Sequence, residues 1–270
     1  MMLLIRPTAQ SGDRGVVIDV TPASAGWDHV GFRVVRLAAG ETHHGQEPQR
    51  EACIVLLTGT ADVVAGGWSF DGIGGRQDLF ESPSTSVYVP ADTPYEVTAL
   101  DALEFAVCSA PSRGVRPVRL IEPGEVGEET RGSGTNTRHV RNILPDTSEI
   151  AESLLVVEVV TPGGNWSSYP PHKHDRDAFP EETLLEETYY HRLRRPGGYA
   201  VQRVYTDDRS LDETMTVTDG DVVLVPRGYH PVGAAHGYDL YYLNVMAGPR
   251  RAWRFTNDPT HEWIVSTAAE

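Results

Sequence analysis

Glycine and proline interrupt this chain at short intervals, and that punctuation limits the possible folds more than any other feature. The 270 residues include 26 glycines and 19 prolines, which separate short runs rich in valine and tyrosine. Apolar runs bounded by turn residues are typical of β-strands and not of helical bundles. The sequence therefore predicts an all-β protein, long enough for two small domains that each bury a core.

The spacing of the strand-like runs suggests where the two domains lie. Strands are predicted at 15–20, 30–37, 54–57, 61–64, 86–89 and 103–108, and again at 154–160, 187–191, 199–205, 215–217, 221–225 and 240–245. Between these groups the composition shifts to Glu, Gly, Thr and Arg with few apolar residues. We therefore predict an N-terminal domain over 1–121, a connecting segment over 122–150 and a C-terminal domain over 151–270.

Charge and the cysteine count narrow the class of partner. The chain carries 38 acidic against 23 basic side chains, a net charge of -15, which repels phosphate backbones and anionic lipid. We expect neither nucleic acid nor a membrane as partner, although a local basic pocket could bind a small anion. We find no secretory signal and no apolar span of roughly 20 residues, which predicts a cytoplasmic location. Cys53 and Cys108 lie in apolar runs and are predicted to be buried free thiols.

A His-Lys-His sequence at 172–174 is the most informative chemical feature of the chain. In a strand, residues two apart point to the same face, so His172 and His174 can bind one metal ion while Lys173 points the other way. A buried strand that ends in a Pro-X-Gly turn then delivers His230. The alternative is that these are hydrogen-bonded histidines of a β-sheet core.

A carboxylate ligand is expected from the strand that begins near residue 186. Its inward set is either Glu187, Tyr189 and His191, or Glu186, Thr188 and Tyr190. Together with His172, His174 and His230, one of these glutamates completes a set that suits Zn, Mn, Fe, Co or Ni. Zinc is the cofactor that we predict, with manganese or iron as alternatives.

The remaining polar candidates have weaker support. His191, His236 and His261 have no partner at ligand spacing and are interpreted as structural or surface groups. Arg203, Arg227 and Tyr242 could contact a substrate carboxylate or hydroxyl, because arginine recognises carboxylates through two hydrogen bonds. Surface salt bridges are the alternative for the two arginines.

These stretches resemble the two cupin motifs, one with His-X-His followed by Glu and one with Pro-X-Gly followed by His. In the cupin pattern the ligand glutamate directly precedes an apolar and aromatic run, which favours Glu187 over Glu186. Twelve residues separate His174 from Glu187, more than the motif has. Within the cupins, residues 169–175, 202–208, 226–231 and 241–249 resemble the 5-deoxy-glucuronate isomerase family of inositol catabolism.

The resemblance implies a bicupin of two small β-barrel (jelly-roll) domains, of which the first is degenerate and without a metal. It implies isomerisation of the sugar acid 5-deoxy-D-glucuronate, an aldose, to the ketose 5-dehydro-2-deoxy-D-gluconate, with the metal as Lewis acid for the enediolate. Tyr242 and Tyr189 are then candidates for proton transfer, and Arg203 for binding the substrate carboxylate. The alternatives are a metal-dependent dioxygenase and a non-enzymatic sugar-binding cupin. A homo-oligomer is compatible with the sequence.

Overall fold

The structure, a computed structural model, describes residues 2–8 and 14–267 and consists almost entirely of β-strands. The prediction of an all-β protein is confirmed. Helical segments are short: α1 is Pro22–Ala25, α2 is Trp263–Thr267, and three 3-10 turns are Pro123–Glu125, Gly134–Asn136 and Pro259–His261. Within the described part of the chain, no helix has the length and apolar character needed to cross a membrane.

The strands of the first half are short and closely spaced, as the glycine and proline punctuation predicts. They are β1 (Leu4–Ile5), β2 (Gly15–Val20), β3 (Gly31–Leu37), β4 (Thr42–Gly45), β5 (Arg50–Thr58), β6 (Thr60–Ala65), β7 (Trp68–Gly74), β8 (Ser86–Val89), β9 (Tyr95–Ala99), β10 (Leu103–Pro111) and β11 (Arg119–Ile121). All six runs predicted in this half lie on strands.

The second half continues in the same way. Its strands are β12 (Gly127–Arg131), β13 (Arg138–Leu144), β14 (Leu155–Thr161), β15 (Trp166–Ser167), β16 (His172–Lys173), β17 (Asp175–Ala178), β18 (Glu182–Leu184), β19 (Glu186–Leu193), β20 (Ala200–Tyr205), β21 (Asp212–Val217), β22 (Val222–Val225), β23 (Val232–Ala234), β24 (Leu240–Ala247) and β25 (Thr256–Asn257). The segment 122–150, expected to be a connection, itself contains β12 and β13.

The chain forms two compact units that alternate along the sequence. The N-terminal unit comprises Pro7–Gly127 and Asn142–Val157, and the C-terminal unit comprises Met1–Arg6, Glu128–Arg141 and Glu158–Glu270. The contiguous division at 121 and 150 stays a prediction. The two units interleave because the first strand, β1, pairs with β22 and not with its neighbours in sequence.

The N-terminal unit contains a six-stranded sheet in the order β11-β8-β5-β10-β3-β2 and a four-stranded sheet in the order β4-β9-β6-β7. Apolar side chains from both sheets form its core, among them Val35, Ile54, Leu56, Val63, Val97 and Phe105. Cys53 and Cys108 face each other across β5 and β10, and both are buried and free, which confirms the prediction of free thiols.

A fully buried carboxylate organises one end of the N-terminal unit. Glu51 accepts backbone N–H hydrogen bonds from Glu152, Ser153 and Leu154 at 2.7 to 2.8 Å, and the hydroxyl of Tyr88 at 2.7 Å. Buried charges are tolerated when such donors replace water. Glu51 therefore holds the 152–154 backbone to β5.

The C-terminal unit contains the strands that carry the predicted ligands. Its larger sheet has the order β1-β22-β19-β24-β14-β13-β12, its second sheet the order β15-β23-β20-β21, and two pairs, β16-β25 and β17-β18, complete it. The sheets of the chain are not closed barrels, so the predicted barrels are open sheets that belong to the same all-β class.

The twelve residues between His174 and Glu187 contain the β17-β18 hairpin. A network of ion pairs stabilises this hairpin. Lys173, almost fully buried, lies 2.7 Å from Asp175 and 3.5 Å from Glu182, and Arg176 donates to Glu182 at 2.7 Å. Burial opposes ionisation of Glu182, but Arg176, Thr256 and the backbone of Asp175 lower its pKa to about 2. The hairpin is therefore an ordered part of the unit.

Candidate metal centre

Strand β16 with the residue that follows it, and the loop after β22, bring the predicted histidines together. His172 lies on β16, His174 directly follows it, and His230 follows the turn after β22. Candidate ligand atoms of these three buried side chains all lie within 4.8 Å of one another. The ring centroids of His172 and His230 are 4.8 Å apart, and those of His174 and His230 are 5.0 Å apart. Lys173 points into the hairpin network, as strand alternation requires.

Glu187 faces two of these imidazoles. Its Oε2 is 3.1 Å from Nε2 of His174 and 3.3 Å from Nε2 of His230. In the register of β19, Glu187 pairs with Val225 and with Met246, whereas Glu186 pairs with Ala247. Only the phase that contains Glu187, Tyr189 and His191 places a carboxylate against the histidines.

The backbone orients the imidazoles so that their lone pairs converge. Nδ1 of His174 is 3.1 Å from the carbonyl of Leu185, and Nδ1 of His230 is 2.9 Å from the carbonyl of Gly228. A carbonyl can only accept, so each Nδ1 carries a proton and each Nε2, the atom that would bind a metal in the neutral imidazole, is directed at Glu187. Nε2 of His230 makes no hydrogen bond in the described part of the chain. At 3.1 Å from Oε2 of Glu187, Nε2 of His174 shares either a proton or a cation with the carboxylate.

Electrostatics favour neutral imidazoles at two of the three positions. Burial lowers the pKa of His172 well below its usual range, with further lowering by the neighbouring His230 and His174. Burial also lowers the pKa of His230 to about 4, against the charge of Glu187. At His174 burial acts in the same direction, but the hydrogen bond and charge of Glu187 outweigh it and raise the pKa. Neutral imidazole is the form that binds metal.

The donor set fits a divalent transition metal. Three imidazoles and a carboxylate that already converge on a common point are ligands for Zn, Mn or Fe. Sequence reasoning missed Asn244 of β24, whose Nδ2 donates to Oε1 of Glu187 at 2.6 Å and so orients the carboxylate. Such supporting side chains have no spacing signal of their own.

A loop glycine sets the position of His230. Gly228 has a φ of 89°, and a Cβ at this position would lie 2.4 Å from the carbonyl oxygen of Tyr205. Its N–H donates to Oδ2 of Asp175 at 2.9 Å. Asp175 therefore links the loop that carries His230 to the segment 172–174 that carries the other two histidines.

Two phenols lie next to the histidines. The rings of Tyr189 and Tyr242 are 4.9 Å apart, and Tyr189 is 5.8 Å from His230. The Tyr189 hydroxyl is 2.8 Å from Oγ of Ser168, a residue with a φ of 49°. Burial raises the pKa of both phenols; Glu187 raises that of Tyr189 further, whereas Ser167 and Arg138 act to lower that of Tyr242. Both phenols therefore retain their protons at neutral pH.

The structure places the remaining predicted residues away from the histidines or in structural contacts. Arg203 forms a two-pronged ion pair with Asp212, at 2.8 and 2.7 Å, with its guanidinium stacked 4.4 Å from the Tyr205 ring. Arg227 is exposed. Its charge adds a small effect to the hydrogen bonds of Thr206 and Ser210, which lower the pKa of the exposed Asp208. The contact of Arg203 corresponds to the alternative of a surface salt bridge, and its role in binding substrate stays a prediction, as does that of Arg227. His191 is fully buried and 2.8 Å from Gln202, a structural contact.

Known proteins match this chain over nearly its full length. The KduI/IolB family model matches residues 3–264. A curated relative from Geobacillus kaustophilus, named 5-deoxy-glucuronate isomerase, is 56% identical over 268 residues, which cover 99% of this chain and 97% of the relative. A crystal structure of an IolB-like protein from Salmonella typhimurium LT2 is 54% identical, with a TM-score of 0.95, and covers 98% of this chain and 100% of that one.

The fold is shared more widely than the sequence. A Lactobacillus farciminis oxalate decarboxylase is 16% identical, with a TM-score of 0.66, over 98% of this chain and 90% of that one. At that identity the likeness shows the fold alone. Fold and site together define an all-β protein of the cupin class with a histidine triad that could hold a metal. More narrowly, this chain belongs to the KduI/IolB family.

Proposed function

We propose that this protein is an aldose-ketose isomerase that converts 5-deoxy-D-glucuronate to 5-dehydro-2-deoxy-D-gluconate in inositol catabolism. The observation that carries the proposal is the convergence of His172, His174, Glu187 and His230 in a chain whose relatives, matched over nearly their full length, are named 5-deoxy-glucuronate isomerase. The reaction moves one proton between neighbouring carbons and a second between their oxygens. Atoms and electrons balance without a redox cofactor.

The four converging side chains would hold the metal, for which we propose zinc, with manganese or iron as alternatives. A bound divalent ion would supply Lewis-acid stabilisation of the negative charge that develops on the two substrate oxygens. The protein supplies the orientation of the ligands, through the carbonyls of Leu185 and Gly228 and the amide of Asn244. The ring of Phe255 packs against His172, with their centroids 4.6 Å apart.

The two phenols are proposed to handle the protons. Tyr242 is the stronger candidate for moving a proton, because Ser167 and Arg138 counteract the effect of burial on its hydroxyl. Tyr189 is held by Ser168 and stays protonated beside Glu187, so it can donate a hydrogen bond to a substrate oxygen. The two phenol rings lie 4.9 Å apart, so both hydroxyl-bearing side chains belong to the same part of the site.

Anaerobic turnover separates this function from its alternatives. Metal-reconstituted protein is incubated with 5-deoxy-glucuronate without oxygen, and loss of aldehyde and gain of ketone are followed by NMR. A His172→Ala, His174→Ala double variant should be inactive, whereas His236→Ala, which changes an exposed histidine, should keep full activity. No turnover by the intact protein would contradict the isomerase proposal. Equal turnover by the double variant would contradict the metal site, and a need for oxygen would favour a dioxygenase.

Location and assembly complete the proposal. A cytoplasmic location is supported by the two buried free thiols, Cys53 and Cys108, since reduced cysteines are typical of that compartment. A homo-oligomer stays a prediction, which sedimentation of the intact chain would test directly. The sugar-acid substrate is the only partner that the proposed reaction requires.

A further inference from the structure

Arg138, at the start of β13, is a cation whose hydrogen bonds all go to neutral groups. Its Nη1 donates to the carbonyl of Asn136 at 3.2 Å and to the carbonyl of Tyr169 at 3.3 Å. The side chain is half-buried, and Nε and Nη2 make no hydrogen bond to any residue that the structure describes. One edge of the guanidinium, with two parallel N–H directions, is therefore free.

The absence of a counterion among the described residues distinguishes Arg138 from several other arginines of the C-terminal unit. Arg131 pairs with Glu129 at 2.6 Å, Arg192 with Asp219 at 2.9 Å and Arg203 with Asp212 at 2.7 Å. No carboxylate in 2–8 or 14–267 lies within ion-pairing distance of Arg138. Glu129, an acidic neighbour that acts on Arg138, is already engaged by Arg131. A partly buried arginine without a protein carboxylate is suited to bind one from a ligand.

The segment 167–172 places this guanidinium beside the candidate metal centre. Its first serines contact the hydroxyls of Tyr242 and Tyr189, its tyrosine carbonyl accepts from Arg138, and it ends at His172. The charge of Arg138 also contributes to the low pKa of His172 and acts on both phenols. Arginine, phenols and histidines therefore belong to one site.

We infer that Arg138 binds the carboxylate of the sugar-acid substrate through Nε and Nη2, and thereby selects acids over neutral sugars. The inference rests on the proposed function and identifies the group that recognises the end of the substrate opposite the aldehyde. A divalent ion and Arg138 together outweigh the single carboxylate of Glu187, so the site is positive in a chain of net charge -15. A local positive site attracts an anionic sugar despite the acidic surface.

A kinetic comparison with a neutral substrate analogue tests the role of Arg138. The wild-type protein, Arg138→Gln and Arg138→Lys are assayed with 5-deoxy-glucuronate and with 5-deoxy-D-glucose, in which a hydroxymethyl group replaces the carboxylate. We expect Arg138→Gln to lower kcat/KM for the acid about 10- to 100-fold, mainly through KM, and to leave the neutral sugar within about twofold. Arg138→Lys should recover part of the loss, because an ammonium cannot make both hydrogen bonds.

Binding of inert sugars keeps the test independent of turnover. D-gluconate and D-glucitol are titrated by calorimetry into the metal-loaded wild-type protein and the same variants. The wild type should prefer gluconate, and Arg138→Gln should lose that preference while it retains its metal. If the wild type binds gluconate selectively but does not isomerise 5-deoxy-glucuronate, the proposed function fails and the role of Arg138 stands.

Two arginine variants provide the controls. Arg192→Gln changes an arginine that is ion-paired with Asp219. It should leave unchanged both the kcat/KM preference for the acid over the neutral sugar and the binding preference for gluconate over glucitol. Arg203→Gln tests the arginine that the sequence suggested. Retention of the acid preference in Arg138→Gln, or its loss in Arg203→Gln alone, would overturn the inference.

Discussion

Replacing Glu187 by glutamine separates a metal ligand from a structural carboxylate. The Oε2 atom of Glu187 lies 3.1 Å from Nε2 of His174 and 3.3 Å from Nε2 of His230. In both imidazoles the Nδ1 proton is already donated to a backbone carbonyl. With a cation present, this arrangement binds it; without one, a proton on Nε2 of His174 forms a hydrogen bond to Glu187. The Glu187→Gln variant keeps the shape, removes the charge and gains an N–H that can donate to His230.

The size of the effect follows from linkage. Metal at 100 times its dissociation constant stabilises the folded wild type by about 2.7 kcal/mol, which raises Tm by roughly 5–11 °C for a protein of this size. Loss of one of four ligands should weaken metal binding at least about 100-fold, so the same metal concentration adds only about 0.4 kcal/mol. The metal-free Glu187→Gln protein should lie within about 1 kcal/mol of the metal-free wild type.

Differential scanning calorimetry with and without added zinc measures the zinc-induced rise in Tm and the stability of the metal-free protein. Elemental analysis gives the amount of bound metal. Glu186→Gln is the matched control, because Glu186 is the next residue on the same strand and pairs with Ala247. It should show the full wild-type increase in Tm. If Glu186→Gln loses the metal response and Glu187→Gln keeps it, the strand phase on which the site is built is wrong.

Three further predictions concern the surroundings of the site and the N-terminal unit. Glu51→Gln should lower the free energy of unfolding by about 1–3 kcal/mol in urea, because the buried carboxylate accepts four hydrogen bonds; an unchanged midpoint would contradict this. The pKa of Glu182 is depressed to about 2, so ionised Glu182 stabilises the folded protein fully above pH 4.5. This contribution, at most about 3 kcal/mol, is lost as the pH falls towards 2. Glu182→Gln should therefore flatten the Tm-pH curve in that range. Gly228→Ala should weaken zinc binding about 10- to 100-fold in a chelator competition, and wild-type affinity would refute the steric argument.

Much of the local structure could be predicted because strand periodicity is a local property. The runs 15–20 and 86–89 coincide with β2 and β8 residue for residue, and the spacing of His172 and His174 indicates a common face. The choice of Glu187 over Glu186 followed from the resemblance to the cupin motif, in which the ligand glutamate directly precedes an apolar and aromatic run. The strands β12 and β13 were missed because few apolar residues mark them.

The sequence alone therefore determined the all-β class, the free thiols and the residues that converge at the candidate metal centre, because each depends on residue type and short spacing. Only the tertiary structure decided which cations have a carboxylate partner. Arg203 pairs with Asp212 and Lys173 with the carboxylates of its hairpin, whereas Arg138 pairs with no carboxylate of the described chain. It likewise decided which backbone groups orient the imidazoles. Ion pairs and buried hydrogen bonds join residues far apart in sequence, and their energies depend on distance and burial, which exist only once the chain is folded.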